Sequence, residues 1–434
     1  MNNDNTDLLK LLLLTNSNID NTKSTFSIDS NKNSITGYIY LSINSRECPY
    51  CHSNRLNIHD RIVKSIYHPV LKGRNVLLFL NQYKFKCREC GHTCLQPNTL
   101  ADCNITTIGM LYLLNQFRNP RLTFKDASFD FFIPKSTIVD LFDKHIDIQR
   151  HVLTKVISFD ENYLSGLTKT SYCCTIYDPI SNTLLDLIDS RRKNVLEDYF
   201  AHIPVSERLN VKYATMDMWE TYKNISFQMF PNLEFIAVDS FHVIKHLNEA
   251  IDTIRKSIMN QYADRKDADK TGIYWLLKTF HYFLKEDFNN IKYTCRPKSH
   301  FSYLHDKHEV LSHILAISDT LKAAYELKEE YREFNLVGTY EQAITVIPEF
   351  IDRFKAFPRQ EYRDFGCTLG HWRQEIINSF IRIDGKRLSN GPMESLNGRI
   401  DKIMSDGCGY SNFSRFRNRV MFGLNKDEPI KYSK

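Results

Sequence analysis

The chain of 434 residues holds no run of 18 or more apolar residues, whereas a helix that crosses a bilayer needs about 20. Its one compact apolar block, Leu8 to Leu14, is short and follows an acid rather than Lys or Arg, so it does not read as a secretory signal. Charge of one sign is not in large excess: 57 Lys and Arg against 51 Asp and Glu leave a net +6. That balance excludes a histone-like polycation while leaning toward a polyanionic partner. No internal repeat at solenoid spacing is present, which excludes a stacked-repeat architecture. These absences set the expectation of a cytoplasmic protein without membrane contact. At 42% hydrophobic and 25% charged residues, the chain can bury two or three domain cores. Eleven cysteines are diluted along it, four of them in two C-x-x-C pairs, a distribution that indicates intracellular thiols plus a metal site.

The text changes character along the chain. Residues 1–36 are rich in Asn, Ser, Asp and Thr and read as a flexible leader with one short helix. Residues 37–104 carry short β-type runs separated by turn chemistry such as Lys72-Gly73-Arg74-Asn75, giving a small β module. Helical spacing takes over in residues 105–150, and strands alternate with helices through 151–249. A charged, 3.6-periodic stretch over 250–384 predicts an all-α domain. Residues 385–434 begin with a Gly-, Asn- and Ser-punctuated segment that opens a helix.

Within the β module, Cys48-Pro-Tyr-Cys51 and Cys87-Arg-Glu-Cys90 form two knuckles, each able to present two thiolates from a tight turn. Four sulfurs make the closed tetrahedral shell of one structural Zn²⁺. The intervening 35 residues contain two strand-like runs and a hairpin turn, which can bring the knuckles together. His52, His92 and Cys94 are bystanders to this set. Cys103, Cys173, Cys174, Cys295, Cys367 and Cys408 read as buried small hydrophobes or ordinary surface thiols.

Between Arg121 and Ile146 the sequence predicts a helix from near Thr123, a break at Ile133-Pro134, and a second helix from Lys135-Ser136. A short turn between two amphipathic helices is the geometry of a helix-turn-helix, with Lys135, Ser136 and Thr137 facing phosphates or base edges. A helical hairpin used only for packing fits the same segment.

Further on, three strands end in acids. Val156 to Phe159 leads to Asp160-Glu161, Val211 to Met216 leads to Asp217, and Phe235 to Val238 leads to Asp239. Strand ends that cluster in this way suit Mg²⁺ or Mn²⁺, which prefer carboxylate oxygens, and a pair of such ions is a known device for phosphodiester cleavage.

The segment Leu388-Ser-Asn-Gly-Pro-Met-Glu394-Ser-Leu-Asn397-Gly-Arg-Ile, followed by Gly409-Tyr410-Ser-Asn412-Phe413 and Phe416-Arg417-Asn-Arg419, closely resembles the C-terminal signature of bacterial insertion-sequence transposases of the ISL-three family. The likeness runs in order through the chain: the cysteine knuckles, the helix-turn-helix, Phe159-Asp160-Glu161, Asp217-Met218 with Tyr222, Pro231-Asn232, and Asp239-Ser-Phe-His242-Val243. It implies a ribonuclease-H-like α/β core, made of residues 151–249 and 385–434 and interrupted by the all-α insertion. It also implies a DDE triad, Asp160, Asp217 and Glu394, holding two Mg²⁺ or Mn²⁺ ions. Asp239 is the rival second acid; otherwise Asp239, His242 and Glu161 support the site from beside it. The family resemblance leads one to expect basic residues after Asn397, where this chain has Asp401, Met404 and Ser405. Arg399, Lys402, Arg415, Arg417 and Arg419 are the candidates for the missing phosphate contacts.

The resemblance thus implies binding of terminal inverted repeats and target DNA, hydrolysis at the element's end, and strand transfer by a homodimer or higher oligomer associated with the bacterial nucleoid. A transposase-derived DNA-binding regulator without cleavage, and a nuclease without strand transfer, are the rival readings.

Overall fold

The computed structural model describes every residue except 1, 15–17, 44–46, 103, 169, 264–266, 287, 289–305, 384, 389–390 and 433–434. Cys103 and Cys295, together with Ser389-Asn390 of the C-terminal signature, lie outside the described residues. The chain divides into two compact units, Met1–Arg150 with Arg399–Lys434, and His151–Gly398. Among the described residues no helix is long and apolar enough to cross a membrane.

The first unit begins with α1 (Asn2–Leu11) and continues through β1 (Thr25–Asp29), β2 (Ser34–Tyr40), β3 (Leu56–Tyr67), β4 (Asn75–Cys87), β5 (Thr93–Leu95), β6 (Ala101–Asp102) and β7 (Ile105–Thr106). These strands form one sheet in the order β1-β2-β4-β3-β7-β6, with β5 on β4. The leader is not loose as expected. Leu9, Leu12 and Leu14 are buried in one core with Ile35, Ile39, Leu78 and Leu80, because the leucine block has a sheet face to cover. His68 fixes the join: one ring nitrogen donates to the Leu12 carbonyl at 2.7 Å and the other accepts from the Thr106 hydroxyl at 2.6 Å. Burial holds its pKa down at about 4, so the ring is neutral and can play both parts.

Three helices follow: α2 (Thr107–Gln116), α3 (Phe124–Phe131) and α4 (Lys135–His145). Thr123 caps α3 in a reciprocal capping box with Asp126, and Phe132 takes a left-handed conformation at φ 57° that ends it. Pro134 then stands at the start of α4, where its missing N–H costs nothing. Phe124, Ala127 and Phe131 of α3 and Ile138 and Phe142 of α4 are buried, leaving Lys135 and Ser136 exposed and Thr137 half-exposed.

In the second unit β8 (Val156–Tyr163), β9 (Tyr172–Asp178) and β10 (Thr183–Ile188) run as an antiparallel meander. After α5 (Lys193–Ala201) and α6 (Val205–Arg208), β11 (Tyr213–Met216) returns parallel to β8, and after α7 (Glu220–Met229), β12 (Phe235–Val238) adds parallel to β11. The order β10-β9-β8-β11-β12 is the mixed, ribonuclease-H-like sheet that the resemblance implies. Phe159, Phe200, Met216, Tyr222 and Ile225 share a core between this sheet and its helices.

The helical part runs through α8 (Ser240–Gln261), α9 (Ala268–Thr279), α10 (Lys307–Leu315), α11 (Asp319–Val337), α12 (Tyr340–Lys355), α13 (Gln360–His371) and α14 (Arg373–Asn378). It has a second core in which Trp372 is buried and Trp275 packs at the margin. A two-residue hairpin, β13 (Arg382–Ile383) and β14 (Lys386–Arg387), precedes α15 (Gly391–Asp406) and α16 (Phe413–Leu424).

Residues 385–434 were expected as one part of the catalytic core, yet residues 399–434 belong to the first unit. The reason is α16. Its Phe422 ring meets Phe142 edge-on, and Arg415 makes a bidentate ion pair with Asp143, so it has both an apolar and a charged contact to α4.

Candidate active site

Strand geometry decides which acids meet. β8 and β11 are parallel neighbours, as are β11 and β12, so residues just past the ends of β11 and β12 emerge on the same side. Asp217 follows Met216 and Asp239 follows Val238 directly. Asp160 lies within β8, opposite Thr175, and is 6% exposed. Its Oδ1 accepts the Glu161 amide at 2.7 Å and its Oδ2 accepts Asn397 Nδ2 at 2.6 Å. Asn397 Oδ1 in turn accepts from Asn162 Nδ2 at 2.9 Å, and the same Asn162 nitrogen donates to Thr175 at 2.8 Å. This amide relay ties α15 to β8. Glu394 is three residues before Asn397, which places both on one side of the helix.

The remaining groups complete the cluster. His242, on the first turn of α8, donates from Nδ1 to Asp217 Oδ2 at 2.8 Å. Ligand atoms of Asp239, His242 and Glu394 all lie within 4.8 Å of one another. Asp217 Oδ1 is buried and has no hydrogen-bond partner among the described residues. Asp160, Asp217, Asp239, His242 and Glu394 therefore occupy one site. Glu161 borders it, ion-paired to Arg191.

The electrostatics fit a group of carboxylates held too close for comfort. Burial, reinforced by the charge of Asp217, pushes Asp160 up to about 6. Burial also raises Glu161 to about 7 against the pull of Arg191. Glu394 is raised by burial and then by Asp239 and Asp217. Burial disfavours a charged His242, but the hydrogen bond to Asp217 and the surrounding acids outweigh it and its pKa is raised. Among the described residues Asp239, His242 and Glu394 are the group at this site whose ligand atoms come close enough to share one ion; with the orphaned Asp217 oxygen beside them, they offer the carboxylate donors that a divalent cation prefers.

In the first unit the four knuckle cysteines converge. Cys48 and Cys90 sulfurs are 3.5 Å apart and those of Cys51 and Cys87 3.6 Å, and all four lie within 4.8 Å of one another. Zinc at about 2.3 Å from each sulfur would set neighbouring sulfurs roughly 3.8 Å apart at tetrahedral corners, so the donor set fits Zn²⁺. The Cys90 and then the Glu89 amides donate to Cys87, whose thiol is drawn down to about 7, while the Cys51 thiol, against a backbone hydrogen bond, is pushed up to about 12 by burial and the neighbouring sulfurs, so the four do not shift alike. His52 turns to Glu47 and His92 stacks on Tyr50, leaving the sulfurs as a set of four.

A family model described as a transposase matches residues 157–420, well over half of the chain. The chain is a transposase of the ISL-three family. A second model, described as the zinc-finger of transposase IS204/IS1001/IS1096/IS1165, matches residues 45–90, the span that carries all four knuckle cysteines. No curated protein matches the chain. The transposase thus acts on DNA and carries a Cys₄ zinc ribbon.

The basic residues proposed for DNA contact do not behave alike. Arg399 and Lys402 are exposed, Lys402 pairing with Asp406 at 2.7 Å. Arg415 is engaged by Asp143, and Arg417 donates to the Ile148 carbonyl at 2.8 Å. Arg419 is a correction. It is 1% exposed, and its guanidinium donates to the carbonyls of Phe117, Asn119 and Leu122 at 2.7, 2.8 and 2.9 Å. It closes the C-terminal end of α2 from inside and cannot reach a phosphate. Tyr410 packs edge-on against Phe124 and Phe416.

Sequence reasoning missed Asn397 as a working residue, although its i+3 spacing from Glu394 on a predicted helix was the available signal. Arg191 carried no signal, because a basic residue in a loop ordinarily reads as solvated surface.

Proposed function

We propose that the transposase is a DDE enzyme in which Asp160, Asp217 and Glu394 hold two Mg²⁺ or Mn²⁺ ions, cleaving DNA at the element's ends and joining the freed 3′-OH to target DNA. The observation that carries this reading is the gathering of five titratable groups from β8, β11, β12, α8 and α15 in one site. When bound, the ions supply Lewis-acid stabilisation of charge on the phosphoryl oxygens. Asn397 keeps Asp160 aimed into the site, and His242 orients Asp217 through its Nδ1–H. Asp239 assists beside Glu394. In hydrolysis a water oxygen bonds to phosphorus as the P–O3′ bond breaks and the 3′ oxygen takes up a proton. In strand transfer that hydroxyl replaces water as the nucleophile: its oxygen bonds to a target phosphorus as the target's own P–O3′ bond breaks, and the proton it loses balances the one taken up by the leaving 3′ oxygen.

Recognition of terminal inverted repeats falls to the zinc ribbon and to the α3–α4 pair, with Lys135 and Ser136 exposed and Thr137 half-exposed at the N-terminal end of α4 for phosphates or base edges. Arg399 and Lys402 add backbone contacts. Bringing two ends together calls for a dimer or larger assembly at the bacterial nucleoid.

The test is cleavage and joining of labelled repeat ends in Mg²⁺ by the wild type and by Asp160→Asn, Asp217→Asn, Asp239→Asn and Glu394→Gln. The three triad variants should be inactive and Asp239→Asn reduced. An active Asp217→Asn beside an inactive Asp239→Asn would transfer the second position to Asp239.

A further inference from the structure

The catalytic hollow has a second chamber behind Arg191. This arginine follows β10, half-buried, and its guanidinium carbon lies 4.0 Å from the Tyr172 ring centroid and 4.6 Å from that of Trp219. A nitrogen donates to Glu161. Two ring faces and one carboxylate thus fix the plane of a group with five N–H donors, more than one carboxylate can use. Arg191 and Trp219 stand between two cavities. One, of about 350 Å³, is lined by Glu161, Asp217 and His242. The other, of about 360 Å³, is lined by Tyr172, Arg192 and Lys193.

The two chambers have opposite character. Two acids, Glu161 and Asp217, line the first beside Arg191, His242 and His246, whereas no carboxylate lines the second among the described residues. Arg192 is exposed, and Lys193 opens the nine-residue α5, whose N-terminus has no side-chain cap. Uncapped N–H groups and the helix dipole favour an anion there, adding to the three cations. A DNA strand drawn into the acidic chamber needs compensation for carboxylate repulsion, and the adjoining cations stand where a neighbouring part of the same strand can supply it.

We propose that this second chamber is a phosphate subsite in which Arg191, with Arg192 and Lys193, grips the backbone phosphate next to the scissile one, Tyr172 and Trp219 holding the guanidinium fork in plane. The proposal rests on the catalytic reading of the acidic chamber.

The full-length zinc-loaded protein would be tested for binding, in Ca²⁺, to a duplex carrying the terminal repeat that flanks its gene. Single phosphates near the cleavage point would be replaced in turn by neutral methylphosphonate. Wild type should lose about tenfold in affinity at one phosphate flanking the scissile bond. Arg191→Lys, which keeps the charge but not the planar fork, and the exposed pair Arg192→Ala with Lys193→Ala should each bind unmodified DNA more weakly and become indifferent to methylphosphonate at that position. The double variant should also show a shallower salt slope, by about 0.9 for the one phosphate contact weakened. Melting curves matching wild type would establish that the fold is intact. Effects of variant and modification that simply multiply, an unchanged salt slope, or no binding of the repeat duplex would overturn the subsite. Binding without Mg²⁺-dependent cleavage would instead count against the catalytic reading, and the coupling between Arg191 and one phosphate would still decide the subsite.

Discussion

Asp160 shows how the site sets function against stability. An exposed aspartate ionises near 3.9, but in the folded chain burial and Asp217 hold this one at about 6. Because the folded value is the higher, the stabilisation from this group is complete below the unfolded value and is lost as pH rises through about 6. In the absence of Mg²⁺ the ionised carboxylate therefore costs on the order of 1–3 kcal/mol at pH 7.5. Asp160→Asn should abolish cleavage yet raise the melting temperature of the magnesium-free protein at pH 7.5, with the difference vanishing below about pH 4. The substitution is accommodated by its surroundings, since Asn397, Asn162 and the Thr175 hydroxyl can all reverse their donor and acceptor roles together. Calorimetry at the two pH values checks the sign. Asn397→Ala, which leaves Asp160 Oδ2 without its donor and α15 without its tie to β8, should lower cleavage about 10- to 100-fold, measured as single-turnover rates on repeat ends.

At the scale of single elements, the ribbon and α16 depend on quite different supports. Among the described residues the knuckle end of the ribbon buries Cys48, Leu56, Phe85 and Cys87, with Tyr83, Cys90 and Cys94 partly buried against them, a cluster too small to hold its turns without a metal. Metal analysis should show one zinc per chain in the wild type and its loss in Cys87→Ser, whose ribbon should be open to proteolysis while the cores of the second unit stay protected. On α16, Arg419→Met removes the donor to three carbonyls and should destabilise the first unit by about 1–3 kcal/mol for each carbonyl left unpaired, without altering the salt slope of DNA binding. Denaturant melts and salt titrations of the same variant separate the two effects. These elements also mark where the text was readable. The knuckles and the acids Asp160, Asp217 and Asp239 were legible because C-x-x-C spacing and an acid after an apolar run are local signals, although β8 does not end at Asp160 as expected but runs on to Tyr163. Arg419 was not, since an arginine among aromatics on an amphipathic helix has the same spacing whether it faces solvent or the carbonyls of α2. The leucines of α1 misled for a related reason: what they cover, the sheet face around Ile35 and Leu78, is assembled from strands that no short window contains.

For the molecule as a whole, the arrangement in two compact units carries its own expectation. The zinc centre and the α3–α4 pair lie in one unit, whereas Asp160, Asp217, Asp239 and Glu394 all lie in the other, and each unit has a core of its own. Recognition and chemistry should then be separable by substitution. Asp160→Asn protein should bind repeat DNA with the affinity and salt slope of the wild type, because its change touches no phosphate-binding group of the first unit. Cys87→Ser protein should lose its preference for repeat over scrambled DNA, about 10³-fold or more for a specific binder, yet still nick DNA in Mg²⁺ at high protein concentration. The discriminating quantity is the ratio of repeat to scrambled cleavage, measured beside total cleavage. Should Cys87→Ser abolish cleavage on both DNAs while the second unit keeps its melting transition, the ribbon would be part of the chemistry, and its role would extend beyond choosing where the acids act.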